Sequence, residues 1–134
     1  MWTSTKRKLE FEEIASALPR KEKMNQTTNK TETFNDIIQG DMPVLVDFSA
    51  EWCQPCKLMK PILKELHEKM ANEIRIIKVD IDQSPAASSF YNVTSVPTLI
   101  LFQKGNILWR QPGVVPAVSL QKIITQFISQ KNAP

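Results

Sequence analysis

The chain has 134 residues with 17 basic and 14 acidic side chains, a net charge of +3, and 42% apolar residues, enough for one ordinary domain with a single core. So mild a charge gives no footprint for nucleic acid or an anionic membrane, and no stretch approaches the ~20 apolar residues that cross a bilayer. Two cysteines and one histidine exclude a disulfide-dense scaffold and a four-ligand structural zinc site, and aromatics at 7% imply a mainly aliphatic core.

Residues 1–30 read as an N-terminal extension and residues 31–134 as the domain. The extension is polar, with Lys6-Arg7-Lys8 and Arg20-Lys21-Glu22-Lys23. Within it, Phe11, Ile14, Ala15 and Leu18 fall at i, i+3, i+4 and i+7, one stripe of an amphipathic helix that Thr3, Ser4 or Thr5 would cap and Pro19 would stop. That helix reads as an add-on docked on the domain or left loose, or as a partner-binding segment. Met24 opens a second polar run and is a candidate alternative start. The first 24 residues hold no apolar signal-peptide core, so a cytoplasmic location is expected.

From Thr31 the pattern becomes regular. Phe34, Ile37 and Ile38 form a short helical face ended by Gly40. Pro43 to Ser49 is almost continuously apolar, as in a strand covered on both faces. Leu58, Met59, Ile62, Leu63, Leu66 and Met70 carry helical spacing, with Pro61 expected to kink the helix. His67, in a polar part of it, reads as a surface residue. Glu73 to Asp80 is a second strand, and strand–helix–strand over this length predicts a parallel pair. A short helix follows over Pro85 to Tyr91. Thr98 to Gln103 is a third strand, and after the Lys104-Gly105-Asn106 turn the chain returns as an antiparallel edge over Ile107 to Arg110. Leu120, Ile123, Ile124, Phe127 and Ile128 mark the last helix, with Pro116 in its first turn. The fold class is α/β: a central mixed sheet with helices on both faces.

Chemistry concentrates in Trp52-Cys53-Gln54-Pro55-Cys56-Lys57, where the buried strand ends and a helix begins. Unpaired N–H groups and the partial positive charge of a helix N-terminus stabilise a thiolate, the species that attacks disulfides. Spacing of i, i+3 lets the second thiol reach the first sulfur and resolve a mixed disulfide. Cys53, at the mouth, is expected to be exposed and to be the nucleophile; Cys56 is the resolving thiol. Pro55 restricts the chain between them. A purely structural bond here would close so short a loop that it contributes only roughly 2 kcal/mol.

The run from Val44 to Lys57 closely resembles the thioredoxin family's strand and active-site turn. Lys78-Val79-Asp80-Ile81-Asp82, Val93-Thr94-Ser95-Val96-Pro97-Thr98 and Lys104-Gly105-Asn106 resemble further motifs of that family, in order, across about residues 31–130. The resemblance implies a thioredoxin fold and assigns roles. Asp47 is the buried carboxylate that moves the Cys56 proton, in keeping with the raised pKa that desolvation gives a carboxyl group. Lys78 is its lysine partner. Trp52, Gln54, Pro55, Val96, Pro97 and Gly113 border the substrate groove, with Pro97 in the cis form and the Val96 backbone free for strand-like pairing with a substrate chain. The family dipeptide between the cysteines is most often Gly-Pro; Gln54-Pro55 departs from it at a position that tunes reduction potential. The family's opening strand has no clear counterpart, since Asn25 to Lys30 is polar.

The expected activity is therefore protein-disulfide reduction by dithiol exchange through Cys53 and Cys56. The substrates would be disulfide-containing proteins and the electron donor a thioredoxin reductase that uses flavin and NADPH. The chain itself is expected to be a monomer with no bound cofactor and no metal. The same fold run in reverse gives an oxidase or isomerase of an oxidising compartment, and a binding module is the third reading.

Overall fold

The computed structural model describes residues 32–131, with residues 129–131 described by their backbone alone. The helix expected over residues 11–18 and the polar run 25–30 lie outside the described residues.

The elements in order are α1 (Phe34–Ile38), β1 (Val44–Ser49), α2 (Gln54–Met70), β2 (Arg75–Asp80), α3 (Pro85–Phe90), β3 (Thr98–Gln103), β4 (Asn106–Pro112) and α4 (Ala117–Lys131). Among the described residues the sheet runs β2-β1-β3-β4. β1 pairs parallel to β2 and β4 returns antiparallel to β3, as the spacing predicts, and β1 also pairs antiparallel to β3, which makes the sheet mixed. β4 extends beyond Arg110 to Pro112, and β2 begins at Arg75 because Glu73 and Ile74 instead donate to the Met70 carbonyl at the end of α2. Pro116 stands one residue before α4 and not in its first turn, where its carbonyl accepts the Leu120 N–H at 3.0 Å.

Helix starts follow local chemistry. Thr33 and Asp36 form a reciprocal capping box at 3.1 Å in both directions and fix the start of α1. α2 runs unbroken through Pro61, whose missing N–H leaves a carbonyl one turn earlier without its helical donor. No helix among the described residues is long and apolar enough to cross a membrane.

β1 is the centre of the molecule, with all six residues buried. Its alternation divides the core. Leu45 joins Met59, Leu63 and Leu66 of α2, Leu99 and Leu101 of β3, and Leu120 and Ile124 of α4. Val44, Val46 and Phe48 point to the opposite face, against Ile37 and Ile38 of α1, Ile77 and Val79 of β2, and Ile100 and Phe102 of β3. The first face is aliphatic as composition suggests. The second carries an aromatic cluster: Phe34, Phe48, Tyr91 and Phe102 meet edge to face with centroids 5.1–6.2 Å apart. Arg110 of β4 clamps that side by donating to the carbonyls of Tyr91 and, at 2.6 Å, Asn92 just past α3.

This packing sets unequal costs for truncation. Phe102→Ala, in the aromatic cluster, is expected to lower unfolding free energy by about 3–5 kcal/mol. Leu58→Ala, on the exposed side of α2, should change it by less than about 0.5 kcal/mol. Urea unfolding of both variants checks the pair; equal losses would contradict the two-faced core.

Candidate active site

β1 delivers the chain to the site. After Ser49 the chain turns, the Cys53 N–H donates to the Ala50 carbonyl at 3.2 Å, and α2 starts at Gln54. Cys53 is the N-cap residue of α2, and its sulfur accepts the Cys56 N–H at 3.1 Å. A cysteine thus occupies the place where Ser or Asp usually satisfies a free helix donor. Cys53 and Cys56 are joined as a disulfide with Cα atoms 5.3 Å apart, inside the ordinary range for such a bond.

One expectation fails here. Cys53 is not an exposed thiol: it is 4% exposed, hardly more than Cys56 at 2%. Both pack into a small cluster with Ala50, against which Ile81 and Val96 close. Spacing on the helix places Cys53 at the mouth, but two loops distant in sequence cover it. Gln54 and Pro55 are exposed between the sulfurs, and Trp52 beside them is 67% exposed.

The cover is itself braced. The Val96–Pro97 peptide is cis, as the resemblance implies, and Pro97 is buried. The Val96 carbonyl oxygen lies 3.6 Å from the Cys53 sulfur. The buried Thr98 hydroxyl donates to the Ser95 carbonyl at 2.8 Å, and the Gly113 N–H donates to the Pro97 carbonyl at 2.8 Å. Gly113 has φ of +93°, while a Cβ there would meet nothing within 4 Å. Backbone conformation, not crowding, favours glycine at this position. Two residues of this architecture carry roles that sequence reasoning did not assign. Thr98 is one. Asp82 is the other: its carboxylate accepts the Trp52 indole N–H at 2.9 Å and fixes the exposed ring.

Asp47 is buried at 1% exposure, on the face of β1 that α2 covers, and its Oδ1 has no hydrogen-bond partner. Desolvation raises its pKa from 3.8 to about 7, against a smaller opposing pull from the Lys78 ammonium. Lys78 is the register neighbour of Asp47 on β2 but is exposed and makes no direct ion pair with it, so its charge acts at a distance.

A Cys-x-x-Cys disulfide thus sits at the N-terminus of α2 beside a cis-proline loop, at the end of a strand that carries a buried carboxyl group. The sequence profile of the thioredoxin family matches residues 25–126. The chain belongs to the thioredoxin family. Thioredoxin of Haemophilus influenzae is 37% identical over 69% of this chain and 86% of its own. Thioredoxin of Alicyclobacillus acidocaldarius is 42% identical over 66% and 84%. A chloroplastic thioredoxin Y2 of Arabidopsis thaliana is 41% identical over 77% and 64%. This family member is accordingly a thiol–disulfide oxidoreductase, a protein-disulfide reductase, with Cys53 and Cys56 as its redox-active pair.

The Asp47 pKa fixes a stability signature. Between pH 3.8 and about 7 the folded protein keeps a proton that the unfolded chain has lost, so stability falls as pH rises through that window. Above it the fold carries a cost of roughly 4 kcal/mol from this one group. Asp47→Asn removes the titration, and is expected to raise unfolding free energy of the oxidised protein by about 2–4 kcal/mol at pH 8 and to leave it nearly unchanged at pH 4. Urea denaturation at the two pH values decides; an equal effect at both would contradict the burial argument.

Proposed function

We propose that Cys53 is the attacking thiolate of this reductase and Cys56 the resolving thiol. The observation that carries the reading is the Cys53 sulfur at the N-cap of α2, accepting the Cys56 N–H at 3.1 Å. That donor and the helix dipole favour the thiolate of Cys53 over any other sulfur in the chain. The Cys53 thiolate attacks one sulfur of a substrate disulfide, forming a mixed disulfide and expelling the other substrate sulfur as a thiolate. Cys56 then loses its proton to Asp47 and attacks the Cys53 sulfur. The second substrate sulfur leaves, and the Cys53–Cys56 bond forms. The two electrons pass to the substrate, and the two thiol protons end on its sulfurs.

The remaining groups serve this cycle. A carboxyl group poised near pH 7 is matched to taking and returning a thiol proton at neutral pH. Lys78 stabilises the transient Asp47 anion. Trp52, held by Asp82, gives the substrate an apolar platform, with Gln54 and Pro55 beside it. The Val96 backbone next to Pro97 pairs with an extended substrate segment, and Gly113 lets that segment approach.

Residues 1–30 are an extension added to a catalytic domain of residues 31–134, and the domain works as a monomer. A flavin- and NADPH-dependent thioredoxin reductase renews the dithiol. Such a cycle needs a reducing compartment, which supports a cytoplasmic site of action.

Cys53→Ser is expected to bring insulin reduction to background. Cys56→Ser should instead accumulate a covalent mixed disulfide with the substrate that mass spectrometry detects and added thiol releases. Full turnover by Cys53→Ser, or trapping through Cys56 in its place, would overturn the assignment.

A further inference from the structure

The redox cycle makes no use of the outer flank of α2. Its buried face is Cys56, Met59, Leu63, Leu66 and Met70. Lys57, Lys60 and Lys64, spaced i, i+3 and i+7, share another side and are all exposed. The stripe begins beside Cys56 and runs about 10 Å along the helix.

This arrangement works against the helix that carries it. Lys57 stands in the first turn, which has no acidic residue, where the helix dipole disfavours a cation. Lys60 faces a like charge at i−3 and another at i+4, and such pairs repel. Glu68, at i+4 from Lys64, is the one acidic neighbour of the stripe along the helix, and it forms no ion pair with it. Lys69 takes Glu65 at 3.2 Å, whereas among the described residues none of the three stripe lysines pairs with a carboxylate. Across the dithiol the sign reverses. Glu51 and Asp82 are exposed on either side of the Trp52 contact, so the mouth of the site is polarised from acidic at Trp52 to basic along α2. Charges that break local rules without an internal partner point to an external one.

We infer that the Lys57–Lys60–Lys64 flank docks an acidic protein partner: a substrate whose disulfide is bordered, on the side lying along α2, by Asp or Glu side chains. A protein fits better than a nucleic acid, because three lysines over one and a half turns neutralise few phosphates and the acidic side of the mouth repels the rest of the strand. The inference rests on Cys53 as the attacking thiol, since a partner held on this flank is productive only if its disulfide meets that sulfur.

The test uses the full-length chain and three disulfide-bridged peptides of one length, with Asp, Asn or Lys flanking the bridge. At about 20 mM ionic strength kcat/KM for the acidic peptide should exceed that for the neutral one by about tenfold, with the basic peptide slowest. At about 0.5 M the three should converge as screening shortens the reach of each charge. Lys60→Gln with Lys64→Gln should bring the acidic-to-neutral ratio at low salt to within about twofold of unity. Equal reduction of all three peptides by the unaltered protein, or an unchanged ratio in the double variant, overturns the docking surface and leaves the reductase reading standing. No turnover of any peptide overturns the reductase reading and the docking surface with it.

Discussion

One hydrogen bond organises this molecule: the Cys56 N–H donated to the Cys53 sulfur at 3.1 Å. It requires a helix to begin at Gln54, a cysteine to cap it, and a rigid support to hold the cap still. β1 supplies the support. Flanked by β2 and β3, and buried at every residue, it is the least movable part of the sheet, and it ends four residues before Cys53. The two hydrophobic clusters then fix the helices on either side, so the geometry at the sulfurs is inherited from packing on both faces of one strand.

The same architecture accepts a cost. Asp47 interrupts the alternation of a buried strand where an apolar residue would pack without penalty, and its Oδ1 finds no partner. A carboxyl group so placed weakens the fold at neutral pH. Its value lies in being titratable close to the pH at which a thiol proton must be moved. Lys78, at a distance in register, restrains the shift without cancelling it.

Much of this was legible in the sequence because it depends on neighbours along the chain. The apolar run of β1, the helical spacing from Leu58 to Met70 and the length between the strands dictate a parallel β1–β2 pair. Asp47 stands out because Val44, Leu45, Val46 and Phe48 surround it. What stayed hidden depends on residues far apart. Nothing local tells Trp52 that its indole will meet Asp82, thirty residues on. Nor does spacing reveal that Ile81 and Val96 close over Cys53, which is why a thiol placed at a helix mouth turns out buried. The aromatic cluster escaped for the same reason: Phe34, Phe48, Tyr91 and Phe102 come from four separate segments, and composition alone counts them as few.

Whether this buried, helix-capping pair works as a reductant is decided by the equilibrium between its dithiol and disulfide forms. The full-length protein would be equilibrated in graded thiol buffers and the reduced fraction counted by alkylation and mass. A reductant of this kind should show a potential of about −270 mV, the value characteristic of thioredoxin, despite Gln54 in place of the usual glycine. A potential of about −180 mV or higher would mark an isomerase or oxidant and contradict the reductant role.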